Sequence, residues 1–576
     1  MHINLIFPPS WIPSQPFLSL PVLTAFLRKE GIGVTQRDLN IEFLDVLLTK
    51  KKGEEFLSTI KDKLNSQSSS GGLAPDKYNA LRAAADQLPL LLDAIEGAKT
   101  TFRTKDFYNA DKYIESLITI DKYMKLVGAL FYPSSITAYD NTMKYSVYSS
   151  KEIMAAIQDE EENIFLNIFK QQFLPSILDA KPDIVGISIT STSQMIPGLT
   201  LAWLIKEREK DIHVTIGGSV FTKLIDNLLK VDTFFSFVDS FVAFEGEHAL
   251  LELANQLSGK KDLQKVPNLI YRENGTTKIN EPFFVEDVNT LPTPNYEGLP
   301  LGLYHSPAPV LPVQTSRGCY WGKCTFCNLH HDHRYFRPKK TELVLRDINT
   351  LKERHATSFF FFADECIPIK NLKAISKAIL ENGVNIKWIG GVRFEEGITL
   401  EVLKDIKNSG CQKLVFGLES FSQRVLDLMC KGTKRETIKK ILNNCLETRV
   451  SVHLYSIVGF PTETVQEAFE TLNFVLGNER LVSSPGFSFL PCLYEMEIHS
   501  PITCNPSNFG LRRIMTPKSE DLSLGFFYEV NRGMSPQEAE ELHAQILQKV
   551  NVTICPFPYN YSMADGLLYL AHCSPR

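Results

Sequence analysis

No cysteine occurs in the first 318 residues, although the chain has eleven. An odd count confined to the second half argues against a disulfide framework and fits a reducing compartment. Long apolar runs are also missing. Stretches such as 359–362 fall far short of the ~20 residues that a membrane helix needs. Residues 1–9 carry no charged n-region and reach Pro8-Pro9 too early for a secretion signal. A basic excess is absent too: the net charge is −5 and no lysine–arginine run stands out, which gives no sign of an electrostatic nucleic-acid surface. The expectation is a cytoplasmic protein with neither a membrane nor a nucleic acid as partner. What is present is 576 residues, 44% hydrophobic and 22% charged, enough for two to four domains with ample cores.

Two series of alternating strands and helices follow from the apolar periodicity. The first has strands at 3–7, 34–40, 183–190, 213–216 and 237–244, with helices at 18–28, 197–209 and 249–257 between them. This alternation predicts a doubly wound, Rossmann-like parallel sheet whose ligands sit at the strands' carboxyl ends. Residues 50–180 interrupt it as a mostly helical insert with a flexible segment at 66–72. Its acidic run, Asp159-Glu160-Glu161-Glu162, reads as a solvated helix face. The proline-rich stretch 291–312 reads as a linker. A second series places strands at 310–314, 358–362, 386–389, 413–416, 451–457 and 486–490. Thr433-Lys434-Arg435-Glu436 has the form of a capping box, Gly410 of a helix stop, and Ser535-Pro536-Gln537-Glu538 of a further helix start. Six repeats predict a partial (β/α)6 barrel of TIM type. The expected organisation is an α/β first domain over 1–290, the linker, the partial barrel over 313–485 and a small α+β region over 486–576.

The chemistry concentrates just past the first strand of the second series, in Ser316-Arg317-Gly318-Cys319-Tyr320-Trp321-Gly322-Lys323-Cys324-Thr325-Phe326-Cys327. Three clustered thiolates can hold three irons of a 4Fe–4S cube and leave the fourth open to another ligand. A structural zinc site is the alternative, because His330, His331 and His333 follow at once. Against zinc, no second CxxC pair appears. The remaining cysteines (Cys366, Cys411, Cys430, Cys445, Cys492, Cys504, Cys555, Cys573) and His453 read as packing residues, with Cys492, at the last strand's end, the one to test.

These residues resemble the radical S-adenosylmethionine (radical SAM) enzymes. Phe326 occupies the family's aromatic place, and this chain departs by one extra residue between Cys319 and Cys324, which the loop must absorb, with Gly322 the candidate. Strand-end motifs follow in family order: Ala363-Asp364-Glu365, Gly391-Val392-Arg393, Gly417-Leu418-Glu419-Ser420 and Gly459-Phe460-Pro461. The resemblance implies a 4Fe–4S cluster on Cys319, Cys324 and Cys327. It also implies S-adenosylmethionine (SAM) contacts from Phe326, Asp364, Glu365, Arg393, Glu419, Ser420 and Gly459. A barrel gathers its chemistry at the carboxyl ends of its strands, where these residues fall.

The first series is similar to the domain that precedes the barrel in the cobalamin-binding radical SAM subclass. Pro8-Pro9-Ser10-Trp11, Ser188-Ile189-Thr190-Ser191, Gly217-Gly218-Ser219 and Glu245-Gly246-Glu247 match it at four strand ends. The resemblance implies cobalamin contacts from Ser188, Thr190, Ser191, Gly217, Gly218, Glu245 and Gly246. The Asp-x-His-x-x-Gly motif that supplies a lower axial histidine is absent, and residues 1–290 hold only His2, His213 and His248, so cobalt is expected without a protein imidazole. The activity implied is methyl transfer to an unactivated carbon of a peptide or small molecule, with a flavodoxin- or ferredoxin-type electron donor. The rivals are a radical ring rearrangement or cyclisation, a plain radical SAM reaction with an empty first domain, and a non-catalytic cobalamin- or zinc-binding module. Arg317 to Trp321 also looks like the branch that modifies ribosomally made peptides. No catalytic residue beyond these is singled out.

Overall fold

The computed structural model describes residues 1–66, 73–554 and 558–573. Residues 67–72 of the segment read as flexible, and Cys555, lie outside the described residues. The chain divides into two compact units, Met1–Val285 with Pro294–Pro309 and Lys518–Leu522, and Glu286–Thr293 with Val310–Pro517 and Ser523–Arg576.

The first unit is built on a seven-stranded sheet. Its strands are β1 (His2–Phe7), β2 (Gly33–Asp38), β3 (Ile184–Ser188), β4 (His213–Gly217), β5 (Ser240–Val242), β6 (Leu269–Glu273) and β7 (Thr276–Ile279). The order is β2-β1-β3-β4-β5-β6-β7. The first five strands are mutually parallel, and β6 and β7 add antiparallel. β3 is buried at every position, as a strand covered on both faces must be. Helices α1 (Ser19–Lys29), α2 (Met195–Arg208) and α3 (Glu247–Ser258) make the crossovers expected from the periodicity. β2 stops two residues short of the expected end because Asp38 turns to cap the following helix, accepting from the backbone N–H of Asn40 and Ile41.

Two stretches of this unit depart from the pattern expected. Residues 159–162 form a turn, not a solvated helix face. Asp159 accepts from the Tyr145 hydroxyl at 2.6 Å, Glu162 is buried against Lys144 at 2.5 Å, and Glu161 pairs with Lys63 at 2.5 Å. The stretch read as a linker is largely part of the unit. Tyr296 and Tyr304 are buried, the Tyr304 hydroxyl donates to Asp38 at 2.6 Å, and Gln36 donates to the carbonyls of Asn295 and Glu297. Apart from a short turn of helix at Leu301–Leu303 and the start of the strand Val310–Val313 the stretch is irregular, yet it is not free of the core.

The second unit carries a six-stranded, all-parallel sheet in sequential order: β8 (Val310–Val313), β11 (Phe359–Phe362), β12 (Lys387–Val392), β13 (Cys411–Glu419), β14 (Ser451–Val458) and β15 (Ser488–Leu493). Between the first two, β9 (Ser316–Arg317) and β10 (Arg337–Pro338) form an antiparallel pair that brackets the cysteine loop. Helices α4 (Gln423–Leu428), α5 (Arg435–Thr448), α6 (Val465–Leu476), α7 (Pro536–Thr553) and α8 (Met563–Cys573) follow in order. Gly410, at φ +101°, ends a helix as expected: a Cβ there would stand 1.9 Å from the Ile386 carbonyl oxygen. The Ser535 capping box forms with Glu538.

The box expected at Thr433 does not form. α5 begins one residue later than that box requires, with Lys434 in the cap position; the Thr433 hydroxyl donates to the Phe394 carbonyl, and the Gln423 side chain takes the Arg435 N–H instead. The strand at 488–493 joins the parallel sheet, so the sheet extends past the boundary expected at 485. A small antiparallel sheet of Met496–Glu497, Gly525–Val530 and Leu511–Met515 follows it.

Candidate active site

In the second unit the polar strand ends gather at the carboxyl edge of the parallel sheet. The cysteine loop leaves β8 through Thr315 and Ser316. Both are held by Asp364 at the end of β11: the Thr315 N–H and hydroxyl and the Ser316 hydroxyl donate to its carboxylate at 2.6–3.1 Å. Burial pushes the Asp364 carboxyl up to about 6, and these hydrogen bonds hold the rise back. Asp364 therefore fixes the root of the loop. Gly318 (φ +78°) and Gly322 (φ +59°) supply the left-handed turns, and a Cβ on Gly318 would stand 2.8 Å from the Tyr335 carbonyl oxygen.

Cys319, Cys324 and Cys327 are half-buried. Burial raises the thiols of Cys324 and Cys327, the latter to about 12, and the neighbouring thiols add to the rise. The Lys431 and Arg393 cations oppose it at Cys324. Among the described residues no three His, Cys, Asp or Glu side chains converge as ligands of a single metal ion. His331 stacks on His499, ring centroids 3.8 Å apart, and meets Asp332 at 3.3 Å. Three thiols on one loop, with the Lys431 and Arg393 cations beside Cys324, are a soft, charge-balanced donor set suited to an iron–sulfur cluster.

Glu419 ends β13 past a bulge, in the left-handed region at φ +58°, a strained position for a non-glycine residue. Its carboxylate meets Lys431 Nζ at 2.6 Å with both side chains buried. Burial pushes the Lys431 ammonium down, but Glu419 and the thiols of Cys324 and Cys366 more than reverse this, so its pKa is raised. Lys431 also lies 5.9 Å from the Phe326 ring centroid, and Phe326 packs on the cluster of Val425, Met429, Phe460 and Tyr494. No local pattern in the sequence marks Lys431; its role comes from the turn after α4.

The remaining expected residues divide. Arg393 is buried and stacks over Trp321 at 3.8 Å while donating to Glu395 at 3.0 Å. Glu365 is exposed. Ser420 is fully buried and bonds to Thr471 on α6 at 3.3 Å and to the Ser422 N–H, away from the loop. Gly459 (φ +87°) admits Ala539 of α7, which a Cβ would meet at 2.4 Å, and its N–H donates to Glu463 at 2.7 Å. Register pairs Tyr455 with Leu490 and Ile457 with Cys492, so half-buried Cys492 ends the last strand beside them. Buried His453 instead bonds to Ser488 at 2.6 Å, near the strands' amino ends, and burial with the Lys413 cation pushes it down to about 3.

In the first unit the loops after β1, β3, β4 and β5 line one carboxyl edge. Gly218 is the tightest point: at φ +114° its Cβ would stand 2.1 Å from the Ile189 carbonyl oxygen. Ser188 pairs with the Ser19 hydroxyl at 3.1 Å. The N–H groups of Thr190 and Ser191 both donate to Gln194 Oε1, whose amide reaches back to the Pro8 carbonyl at 2.8 Å. Asn141, from the helical insert, bridges the Ser10 hydroxyl and the Ser193 carbonyl. Gln194 and Asn141 thus tie these loops together, and no spacing in the sequence announces either. Buried Glu245 accepts from the Val285 N–H at 2.7 Å, and a Cβ on Gly246 would meet Leu23 at 3.1 Å. This edge offers backbone and small side chains in close approach, as a broad planar ligand requires.

The unit's histidines lie elsewhere. His2 and His213 open their strands at the amino ends, His213 bonding Ser240 at 2.9 Å, and His248 sits against Phe26 and Phe283. His305 stacks on Phe102 of the helical insert.

Comparison with known proteins agrees with both halves. A B12-binding domain family model matches residues 149–254, and a radical SAM superfamily model matches 313–475. The structure superposes on OxsB, a cobalamin-dependent SAM radical enzyme solved with aqua-cobalamin and SAM bound, with a TM-score of 0.57 over 94% of this chain and 66% of that one at 16% identity. The chain carries both a B12-binding domain and a radical SAM domain, the pairing found in the cobalamin-binding radical SAM enzymes.

TsrM, a radical SAM methyltransferase from Kitasatospora setae solved with cobalamin and a [4Fe-4S] cluster, shares this radical SAM fold with a TM-score of 0.53, covering 94% of this chain and 84% of that one at 15% identity. By sequence the chain is 31% identical over 303 residues to an uncharacterized methyltransferase of Pyrococcus horikoshii, covering 51% of this chain and 64% of that protein. It is 26% identical over 330 residues to 4'-phospho-dehydrooxetanocin synthase of Priestia megaterium, covering 51% and 42%. The chain thus spans less than two thirds of the length of these curated relatives. No helix among the described residues is long and apolar enough to cross a membrane.

Proposed function

We propose that this chain is a cobalamin-dependent radical SAM methyltransferase acting at an unactivated carbon of a peptide or small natural product. The observation that carries it is the three-thiol loop, rooted by Asp364 at the carboxyl edge of the parallel sheet and flanked by the buried Glu419–Lys431 pair. When bound, a 4Fe–4S cluster supplies the electron that cleaves SAM for hydrogen abstraction, and cobalamin supplies the methyl group.

The chain's own residues bind and orient. Cys319, Cys324 and Cys327 are assigned to the cluster. Glu419 and Lys431 present opposite charges suited to the ammonium and carboxylate of a SAM molecule, with Phe326 and Gly459 shaping its bed. Arg393, Asp364 and Ser420 support that bed from behind, and exposed Glu365 lies at its margin. Tyr455, Leu490 and Cys492, on neighbouring strands, form a wall for substrate. In the first unit Ser188, Thr190, Ser191, Gly217, Gly218, Glu245 and Gly246 would hold the corrin, with cobalt expected to have no protein imidazole. A flavodoxin or ferredoxin in a cytoplasmic setting is the electron donor this chemistry calls for.

The likeness to a synthase favours one second reading, a radical ring rearrangement with the same cofactors. Anaerobic reconstitution tests the first step. About four irons per chain and release of 5′-deoxyadenosine are expected, and both should vanish when the three cysteines become alanine. Transfer of label from methyl-labelled SAM to product then separates methylation from rearrangement. A reconstituted chain that holds zinc instead, or iron that never cleaves SAM, overturns the proposal.

A further inference from the structure

The turn after α4 presents four consecutive carbonyls to partners outside it. The Leu428 oxygen accepts from the Thr325 hydroxyl at 3.0 Å, the Met429 oxygen from the Thr325 N–H at 3.1 Å, and the Cys430 oxygen from the Trp321 indole N–H at 2.8 Å. The Lys431 oxygen accepts from Arg393 Nη2. A helix end leaves such acceptors unmatched, and three of these four are matched by the cysteine loop itself. Left-handed residues Cys430 (φ +50°) and Gly432 (φ +67°) bend the chain so that the acceptors face the loop. Gly432 also lies flush against the indole: a Cβ there would stand 2.3 Å from Trp321 Cζ2. The Arg393 guanidinium covers the Trp321 ring at 3.8 Å and is braced by Glu395, which also accepts from the Tyr320 hydroxyl.

We propose that this arrangement is a clasp, with Trp321 and Arg393 as positioning residues that hold the long cysteine loop in the shape its three thiols require. The inference rests on the reading of Cys319, Cys324 and Cys327 as cluster ligands. The loop has four residues between its first two cysteines, and each added residue gives it more conformations to lose. Trp321 and Gly322 are the middle of that stretch. Trp321 converts the extra length into an anchor, and Arg393 locks the anchor by stacking. Lys431, whose ammonium meets Glu419, belongs to the same turn, so the clasp also ties the thiol loop to that pair.

The test uses the full-length chain, first free of iron and then reconstituted. In the iron-free chain, alkylation by labelled iodoacetamide is followed at each cysteine, with exposed Cys504 and Cys573 as internal references. Trp321→Ala and Gly432→Ala are expected to raise the rates at Cys319 and Cys324 about tenfold, equivalent to about 1.4 kcal/mol of lost protection. Trp321→Phe keeps a ring face for Arg393 and is expected to restore most of it, whereas Arg393→Lys, which cannot stack as a plane, is not. In the reconstituted chain the reduced-cluster EPR line shape should broaden in the alanine variants and sharpen again in Trp321→Phe. Rates in both alanine variants within about twofold of the parent, far below one tenfold step, would overturn the clasp. A parent chain that never takes up iron sinks the cluster reading instead, while the alkylation rates still decide the clasp.

Discussion

The Glu419 carboxylate and the Lys431 ammonium meet at 2.6 Å in the space that Gly417 leaves empty; a Cβ on Gly417 would stand 2.3 Å from Glu419 Oε1 and 2.7 Å from Lys431 Nζ. Both side chains are buried, at 9% and 10% exposure, so neither charge is solvated if the other is removed. Breaking one side of such a pair costs about 3–5 kcal/mol. Lys431→Met is therefore expected to lower the urea midpoint of the second unit sharply. Adding Glu419→Gln should recover most of the loss, because no buried charge then stands alone. Gly417→Ala should displace the pair and weaken SAM binding in equilibrium dialysis with both charges still present. A double variant as unstable as the sum of its parts would contradict this account.

Gly218 makes a corresponding prediction for the first unit. At φ +114°, with the Ile189 carbonyl oxygen 2.1 Å from any added Cβ, alanine meets both a disfavoured backbone region and hard backbone contact. Gly218→Ala should cost about 2–4 kcal/mol from the two together. Retention of cobalamin through gel filtration, read by absorbance, should fall with it. Gly275, also left-handed but with nothing within 4 Å, is the control: alanine there meets the backbone penalty alone.

What could be read in the sequence followed the reach of each signal. The parallel strands announced themselves because burial on both faces makes them short apolar runs, as in Ile184–Ser188. The β6–β7 hairpin was missed although Asn274 and Gly275, both at positive φ, form a strong two-residue turn signal between its strands. The thiols were legible because their spacing is local. Lys431 and Gln194 were not: one acts on a carboxylate 12 residues back, the other on a carbonyl 186 residues away. The linker was misjudged because proline content reports on backbone regularity, whereas burial of Tyr296 and Tyr304 depends on which core they meet.

Glu463 gives a pH dependence. Burial pushes its carboxyl up to about 8 from a usual 4.5, with the Gly459 N–H bond only partly offsetting this. The folded chain therefore holds a proton there that the unfolded chain releases at lower pH. Stability contributed by this group is full below about 4.5, falls as pH rises and is gone above about 8, a change of a few kcal/mol. Glu463→Gln copies the protonated shape and has no proton to lose. Its advantage over the parent in urea midpoint should grow between about pH 5 and pH 8 and then level off. A difference that stays flat over that range would mean that the carboxyl is ionised in the fold.

Asp364 carries the final prediction. Its two oxygens accept from the Thr315 N–H, the Thr315 hydroxyl and the Ser316 hydroxyl, all at the root of the thiol loop. Asparagine has nearly the same size but offers one acceptor where two stood, and its NH2 group points a donor at donors. Each donor left unpaired in a buried setting costs about 1–3 kcal/mol. The strain is relieved most cheaply by moving the loop, because β8 is paired with β11 along its whole length whereas the loop root has only the two-residue pairing of β9 with β10. Asp364→Asn is therefore expected to leave the sheet's far-UV circular dichroism unchanged and to cut iron retained after reconstitution. Asp364→Ala, which leaves the donors room for water, should retain more iron than Asp364→Asn despite being the larger truncation. The opposite ranking would mean that side-chain volume, not the acceptor pattern, holds the loop.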